Sequence, residues 1–177
     1  MDTLQGFPPL LSPSPHTLIL GSMPGQLSLQ QRQYYAHPRN TFWSIVGEIL
    51  DFDAELAYSQ RVAEITAAGF IVWDVLKHCE RQGSLDTAIV ASSVVTNDFV
   101  ALLAAHRDIT RIFFNGAKAG KLFNRHVVPT LRAAACVVPD MQQLPSTSPA
   151  HAALNRGQKL ALWRAIFPPP IPSATPS

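Results

Sequence analysis

The run Thr17-Leu18-Ile19-Leu20, followed at once by Gly21-Ser22-Met23-Pro24-Gly25, decides the fold of this chain. The apolar run is typical of a short buried strand, predicted over Thr17–Gly21, and the glycines and proline then force a turn. Open α/β sheets bind ligands where strands end in this way, and glycine lets backbone approach a ligand without a Cβ in between. The loop is therefore the first candidate binding site, although a Gly-Pro loop after a strand is most often only a turn.

The segment that follows concentrates polar and aromatic groups. It reads Tyr34-Tyr35-Ala36-His37-Pro38-Arg39-Asn40-Thr41-Phe42-Trp43, and Ser28 just before it adds a hydroxyl donor. Tyrosine rings offer flat faces on which a base can stack, although paired tyrosines are more often half-buried packing. Asn40 supplies an uncharged carboxamide and is also placed to cap a helix predicted over residues 41–50. The density of these groups favours a binding site.

Length and composition favour one globular α/β domain. The 177 residues suffice for one well-packed core but not for two, so we predict a single domain over residues 1–167 and a Pro-rich disordered tail over residues 168–177. Hydrophobic residues make up 47% of the chain and charged residues 15%, which excludes a highly charged disordered protein. The formal net charge of +2 allows an acidic partner such as nucleic acid without requiring one.

The cysteines and the apolar segments indicate the cellular compartment in which the protein is expected. Two cysteines, Cys79 and Cys136, lie far apart and lack metal-site spacing, so neither a four-cysteine iron–sulfur cluster nor a Cys-rich zinc site is expected. Reduced thiols are the default in cytosolic proteins. No apolar segment reaches membrane-spanning length, and the N-terminus lacks the pattern of a secretion signal. We therefore expect a soluble cytoplasmic protein without membrane contact.

Strands and helices alternate along the rest of the chain. A lead-in over residues 7–15 is expected to pack through Phe7, Leu10 and Leu11. Further strands are predicted over residues 70–75, Arg111–Asn115 and residues 134–138. Further helices are predicted over residues 54–68, from the cap Asn97-Asp98-Phe99 onward, and over residues 152–167. Residues 76–93 lack periodicity and are interpreted as a loop with short helical pieces. This alternation predicts a mostly parallel sheet covered by helices on both faces.

Polar groups follow each strand of this predicted sheet. Asp74 lies near the end of the second strand, where a role in anchoring a loop is favoured over catalysis. Asn115 and Lys118 flank the next strand-to-helix junction, which suits anions, although such a lysine is usually only solvated. The last strand leads into Leu144-Pro145-Ser146-Thr147-Ser148-Pro149, a stiff loop rich in hydroxyl donors. Because parallel strands end at one edge of the sheet, Asn40, Asn115 and Ser146 are expected in one cleft.

Taken together, these motifs resemble the uracil-DNA glycosylase superfamily, specifically its hypoxanthine-DNA glycosylase branch. The matching motifs are Gly21-Ser22-Met23-Pro24-Gly25, Tyr35-Ala36-His37-Pro38-Arg39-Asn40-Thr41-Phe42-Trp43, Trp73-Asp74-Val75, Asn115-Gly116 and Leu144-Pro145-Ser146-Thr147-Ser148-Pro149. The resemblance implies a three-layer α/β/α sandwich with a central four-stranded parallel sheet. It also implies a monofunctional enzyme that flips a deaminated base out of DNA and hydrolyses its N-glycosidic bond in base-excision repair, with no cofactor and no metal.

The resemblance also implies roles for the polar groups of the cleft. Asn40 is the expected catalytic residue, orienting the attacking water or the base, because Met23 stands where mismatch-specific relatives carry a catalytic asparagine. The residues expected to bind the flipped base are Gly21, Ser22, Met23, Pro24, Gly25, Tyr35, Asn115 and His151. Those expected to contact DNA phosphates are Ser28, Lys118, Ser146 and Ser148. For His151, an ordinary position at the start of a helix is an equal alternative.

The identity of the base and two other functions stay open at this point. A carboxamide can pair with O6 and N1–H of hypoxanthine, but uracil offers the same pair, so Asn40 alone does not separate hypoxanthine from uracil or xanthine. A non-catalytic nucleic-acid-binding module of the same fold is suggested by Met23. A small-nucleotide hydrolase is suggested by the loop and cleft, but the chain lacks a P-loop pattern. The expected partner is DNA, double-stranded or single-stranded, that contains a deaminated base, bound by a monomer.

Overall fold

A computed structural model describes residues 3–167, apart from the side chain of Ile166. The strands are β1 (Thr3–Gln5), β2 (Thr17–Gly21), β3 (Phe70–Asp74), β4 (Leu76–Glu80), β5 (Val95–Thr96), β6 (Arg111–Asn115) and β7 (Asp140–Leu144). The α-helices are α1 (Gln26–Gln31), α2 (Phe42–Leu50), α3 (Tyr58–Ala67), α4 (Phe99–Ala105), α5 (Ala117–Leu122), α6 (Val128–Ala133) and α7 (Arg156–Ile166). Two 3₁₀ turns at Asp86–Ala88 and Ala91–Ser93 and a π-helical turn at Phe123–Val127 complete these elements.

The central sheet has four parallel strands in the order β3-β2-β6-β7. Strand β2 lies inside the sheet and is buried along its whole length, as its apolar sequence requires. Helices flank this sheet, so the predicted α/β fold with a four-stranded parallel sheet is confirmed. Because all four strands point the same way, the loops after them meet at one edge.

A second, antiparallel sheet contradicts the first part of the predicted loop over residues 76–93, because residues 76–80 form a strand, whereas the two 3₁₀ turns after it agree with the predicted short helical pieces. It has the order β1-β4-β5, with Leu4 of β1 paired to Cys79 of β4. The strand β4 forms because it finds partners more than ten residues away on either side, a signal that local periodicity does not carry. Backbone bonds from Val75 N to Gly21 O (2.8 Å) and from Leu76 N to Ser22 O (3.0 Å) join the start of this sheet to the loop after β2.

The last predicted strand is wrong in position. Residues 134–138 form a turn directly after α6, with Ala135 at a φ of 54°, and an irregular stretch, and the strand β7 follows at Asp140–Leu144. Four of the five residues of β7 are exposed because it pairs only with β6 at the sheet's edge. Such a strand carries no apolar run, so the pattern sought in the sequence pointed to the wrong residues.

Smaller corrections concern helix starts and one packing contact. Helix α3 begins at Tyr58 rather than at residue 54, and α7 begins at Arg156 rather than at residue 152. The start of α7 is set by a capping box, in which the side chains of Asn155 and Gln158 each accept a hydrogen bond from the backbone N–H of the other. In the lead-in, Phe7 and Leu10 pack on the core, but Leu11 is 53% exposed. The predicted disordered tail over residues 168–177 lies outside the described residues. No helix within residues 3–167 is long and apolar enough to cross a membrane.

Candidate active site

A cavity of about 440 Å³ opens at the edge of the sheet where the parallel strands end. Its volume lies within the usual range for small-ligand sites. All but one of the predicted site residues line it, namely Gly21, Ser22, Met23, Pro24, Gly25, Ser28, Tyr35, Asn40, Asn115, Ser146, Ser148 and His151. The exception is Lys118, which lies outside the lining. The topology thus brings together side chains from four separate loops.

Asn40 is held by the start of helix α2. Its Oδ1 accepts a hydrogen bond from the backbone N–H of Phe42 at 3.0 Å, and its own N–H donates to the carbonyl of His37 at 2.8 Å. The side chain is only half-buried and lines the cavity. With Oδ1 used by the helix, the carboxamide offers its Nδ2–H donors to whatever occupies the cavity.

Thr147 joins the two walls of the cavity. Its backbone N–H donates to Asn115 Oδ1 and its Oγ1 accepts from Asn115 Nδ2, both at 2.9 Å. The carbonyl of Thr147 accepts from the N–H of Thr41 at 3.1 Å, so the loop after β7 is bonded directly to the residue next to Asn40. Both polar ends of Asn115 are occupied by this pairing, which makes it a support of the wall as well as part of the lining.

Helix α7 supports the same loop from behind. Trp163, which is fully buried, donates from Nε1 to the carbonyl of Pro145 at 2.9 Å. Lys159 Nζ donates to the carbonyl of Ser148 at 3.2 Å, and its burial lowers the pKa of this ammonium group. These two hydrogen bonds, to the carbonyls of Pro145 and Ser148, therefore fix the position of residues 145–148 on helix α7.

The three serines predicted to contact phosphate each accept a backbone hydrogen bond. Ser146 Oγ accepts from Ser148 N and Ser148 Oγ accepts from Ala150 N, both at 3.2 Å, while Ser28 Oγ accepts from Ala36 N at 3.1 Å. A hydroxyl that accepts one bond still has its own hydrogen to donate. These three hydroxyls are thereby oriented neutral donors at the cavity.

Arg81 braces the loop after β2 and was missed by the sequence analysis. Its side chain is fully buried, with Nη1 donating to the carbonyl of Met23 at 3.4 Å, Nη2 to that of Pro24, and Nε to that of Gly83 at 3.0 Å. Charged donors to carbonyls are strong hydrogen bonds, so this cation fixes the loop. Nothing in the local sequence indicates which carbonyls an arginine 57 or 58 residues away will reach.

Asp86 adds a second anchor between the two loops. Ser22 Oγ donates to Asp86 Oδ1 at 2.6 Å, and Arg81 Nη1 lies 4.0 Å from the same oxygen. Burial raises the pKa of Asp86, while the Ser22 hydrogen bond, Arg81 and Lys118 act to lower it. The charge of Lys118 thus acts on the carboxyl of Asp86, although Lys118 itself does not line the cavity.

Two unpartnered polar groups meet at the floor of the cavity. Asp74 is 4% exposed and lines the cavity, yet Oδ2 of its carboxyl is buried without a hydrogen-bond partner among the described residues. The buried hydroxyl of Tyr35 likewise makes no hydrogen bond of ordinary geometry, although the side chain of Asn115 lies near enough to act on its pKa, lowering it. Burial, reinforced by the charge of Asp86 and opposed by Arg81, raises the pKa of Asp74 to about 7. A buried polar group left without a partner is costly and is most often explained by function.

Gly21 is required by the way these two side chains converge. A Cβ at this position would lie 2.4 Å from Asp74 Oδ1 and 3.2 Å from Tyr35 Oη. Both distances are shorter than ordinary contacts, so no larger residue fits without moving the floor of the cavity. The glycine at the end of β2 thus serves the close approach of two side chains, in addition to the turn that the sequence predicted.

Tyr35 is held in an unusual conformation. Its φ of 56° is left-handed, and its ring stacks on Phe42 with centroids 3.9 Å apart and planes 24° apart. At most one face of the ring is therefore open to a ligand. Tyr34 is buried and donates from its hydroxyl to the carbonyl of Pro8 at 2.9 Å, so it belongs to the scaffold.

Other lining residues were not assigned a role from sequence. His37 lines the cavity and its Nδ1 accepts from the N–H of Arg39 at 3.1 Å, while Ser84 Oγ accepts from the N–H of Gln26 at 2.9 Å. His37 lies within the segment that the sequence singled out. Ser84 follows β4, in the stretch interpreted as an irregular loop, and no local signal indicated it.

Comparisons with known proteins agree on one family. The model of the uracil DNA glycosylase superfamily matches residues 8–167. A hypoxanthine DNA glycosylase of Methanosarcina barkeri is 36% identical over 118 residues, which cover 66% of this chain and 73% of the relative. One of Methanosarcina acetivorans is 32% identical over 164 residues, covering 92% and 97%. The solution NMR structure of a candidate uracil DNA glycosylase from Methanosarcina acetivorans superimposes with a TM-score of 0.73 at 32% identity, covering 93% of this chain and 98% of that one.

The Gly21→Ala variant tests the crowding at the cavity floor. The added methyl group must displace the carboxyl of Asp74, so we expect the free energy of unfolding in urea to fall by about 1 to 3 kcal/mol. Gly157→Ala is the matched control, because a Cβ there would meet only Asn155 Oδ1 at 3.4 Å in exposed helix α7. That variant should be neutral or stabilised by up to ~1 kcal/mol. Equal stabilities for the two variants would contradict the crowding.

The Asp74→Asn variant tests the ionisation of the buried carboxyl. Asp74 has a pKa of about 7 in the folded protein against an ordinary value of 3.8, so ionisation is disfavoured by folding. The wild type therefore loses stability as the pH rises from about 4 to 7, by ~1.4 kcal/mol per unit of pKa difference, while asparagine has no proton to lose. The unfolding free energy of the variant relative to wild type should rise over this interval and level off above pH 7. A difference in unfolding free energy between variant and wild type that stays constant from pH 4 to 8 would refute the raised pKa of Asp74.

Proposed function

Because this chain belongs to the uracil DNA glycosylase superfamily, we propose that its cavity receives a deaminated base, hypoxanthine first, everted from DNA. The enzyme is a DNA glycosylase, and its substrate is DNA. The choice of hypoxanthine is supported by the names of two relatives at 32% and 36% identity. Uracil and xanthine are secondary candidates, since each also presents a carbonyl oxygen to a donor in the cavity.

The observation that carries the proposal is the orientation of Asn40. Its Oδ1 is bonded to Phe42 and its Nδ2 is left to donate, which suits O6 of hypoxanthine. Adenine presents an amino group at that position, and two facing donors would leave buried polar groups unpaired. The same carboxamide thus holds a deaminated base and rejects its undamaged parent.

The reaction needs little from the protein beyond positioning and polarity. As the bond from the sugar to the base lengthens, positive charge develops on the sugar and negative charge on the base. A donor fixed in place before the reaction stabilises the developing charge without reorganising. Asn40, held through Phe42 on one side and adjacent to the Thr41–Thr147 bond on the other, meets that requirement.

The DNA backbone is proposed to be positioned by neutral donors. Ser28, Ser146 and Ser148 line the cavity with hydroxyl groups whose hydrogens can donate to phosphate. Lys118 lies outside the lining, so we propose that it contacts phosphate outside the cavity. A monomer acting on duplex DNA in the cytoplasm completes the proposal; the free thiols of Cys79 and Cys136 fit a reducing compartment.

The proposal is tested with end-labelled duplexes that carry a single deoxyinosine, uracil or xanthine. After incubation, hot alkali cleaves the strand wherever a base has been removed. We expect cleavage at deoxyinosine first and none in the duplex with adenine at the same position. Retained DNA binding without cleavage at any base would favour a non-catalytic binding module. Hydrolysis of a free nucleotide with the duplex intact would favour a small-nucleotide hydrolase.

Two substitutions at Asn40 separate its structural role from its chemical one. The carboxylate introduced by Asn40→Asp would still accept from the N–H of Phe42, so the fold should persist, but the Nδ2 donor is lost. We expect single-turnover rates to fall by about 10²-fold or more, as when an oriented donor is removed. Asn40→Ala loses both the donor and the hydrogen bond to the N–H of Phe42, so the protein should also be destabilised by about 0.5 to 1.5 kcal/mol.

Asn124→Asp is the matched control for these variants. Asn124 is exposed, lies outside the cavity lining and uses its Nδ2 on the carbonyl of Gly120. Its turnover should stay within twofold of wild type, with the rates measured at saturating enzyme so that weaker DNA binding does not mimic slower chemistry. A rate for Asn40→Asp close to that of Asn124→Asp would remove Asn40 from the mechanism.

A further inference from the structure

We propose that Asp74 acts as a neutral carboxylic acid, donating a hydrogen bond to the carbonyl oxygen of the departing base. The proposal rests on the glycosylase function proposed above and assigns a second donor to the same cavity. It makes Asp74 a catalytic residue rather than the anchor of a loop, which was the role that the sequence favoured.

The anchoring contacts of this residue are made by its backbone. The carbonyl of Asp74 accepts from Asn97 Nδ2 at 2.8 Å, while its side chain takes no part in that bond. Asp74 is 4% exposed and lines the cavity, and Oδ2 of its carboxyl is buried without a hydrogen-bond partner among the described residues. A buried group that supports nothing and faces the cavity lacks a structural explanation, so a ligand is the partner that would satisfy it.

The surroundings of the carboxyl favour its protonated form. The charged groups that act on it are Asp86, which repels the ionised form, and Arg81, which attracts it. Arg81 directs its three nitrogens at the carbonyls of Met23, Pro24 and Gly83 and has Asp86 as its nearest carboxylate, so it does not pair with Asp74. Burial and Asp86 together raise the pKa to about 7, which leaves the acid form well populated at neutral pH.

A protonated carboxyl is useful at the moment of bond cleavage. The bond between C1′ and the base breaks and its electron pair leaves with the base; water supplies the oxygen that bonds to C1′, and its proton neutralises the base. Negative charge spreads onto the carbonyl oxygen of the base during this step, and an O–H donor stabilises that charge. An ionised Asp74 would repel the same oxygen, so the carboxyl keeps its proton throughout.

Other titratable groups line the cavity and must be separated from Asp74. The imidazoles of His37 and His151 both face it, and Asp86 lies on its wall. The hydroxyl of Tyr35 approaches the same side of Gly21 as the carboxyl does, 3.2 Å from the position of a Cβ there, and burial raises its pKa above the ordinary value. Only a group that is active when protonated and loses its proton near pH 7 gives an activity that falls as the pH rises through neutrality.

The test is the pH dependence of single-turnover base release from a deoxyinosine duplex between pH 5 and 8.5. The wild-type rate should fall about tenfold per pH unit above pH 7. In Asp74→Asn, the amide keeps a donor that does not ionise, so this alkaline limb should vanish while the rate at pH 6 stays within about tenfold of wild type. Asp74→Ala, which has neither a donor nor a charge, should also lack the limb and should be slower than Asp74→Asn at every pH.

A second variant gives an independent readout. In Asp86→Asn the amide oxygen can still accept from Ser22, but the charge that raises the pKa of Asp74 is gone, so the alkaline limb should move to lower pH. His37→Gln and His151→Gln should retain the wild-type limb. Loss of the limb in either histidine variant, or in Asp86→Asn, would assign it to that residue and overturn the proposal.

The remaining outcomes are also decisive. A wild-type rate that rises through pH 7, with Asp74→Asn inactive at every pH, would make Asp74 a general base and refute the neutral acid. An unchanged limb in Asp74→Asn would remove it from the chemistry. In each of these cases the wild type still releases the base, so the proposed function stands; wild type that releases no base would end both proposals together.

Discussion

The pair of hydrogen bonds between Asn115 and Thr147 is the interaction on which the cavity depends. It ties the end of the sheet at β6 to the loop after β7, and Thr147 passes the connection to Thr41 at the start of α2. Without it, the two walls would be separate loops at the sheet's edge. Thr147 has no exposed surface, so water does not compete for these bonds and their geometry is fixed before a ligand arrives.

The floor and the opposite wall are held by less favourable arrangements. The buried side chain of Arg81 donates to carbonyls of the loop after β2, and Asp74 is buried next to Gly21 with no partner for its Oδ2 among the described residues. Tyr35 adds a left-handed backbone and an unsatisfied hydroxyl. The unpartnered carboxyl of Asp74 and the conformation of Tyr35 each lower stability, and both lie at one cavity. Destabilising groups that cluster at one cavity are typical of a site that is preorganised for catalysis.

Features governed by local pattern could be predicted from the sequence. The strands β2 and β6 and the glycine loop were predictable because buried parallel strands are apolar and turns carry glycine and proline. The meeting of Asn40, Asn115 and Ser146 followed from strand direction alone. By contrast, β4 depends on remote partners, β7 is an exposed edge strand, and Arg81 acts across 57 and 58 residues, so no local signal exists for them. Asp74 was visible as a motif residue, but its missing partners could be seen only in three dimensions.

Glycosylase activity at this cavity requires that a base leaves the DNA helix and enters the space between the loops after β2 and β7. A crystal structure of the Asn40→Asp variant with a duplex containing deoxyinosine tests this most directly, because slow turnover preserves the substrate. The account predicts hypoxanthine within the cavity, next to residue 40 and within hydrogen-bond distance of Asp74. A base still stacked in the duplex while the protein grips the DNA through another surface would contradict it.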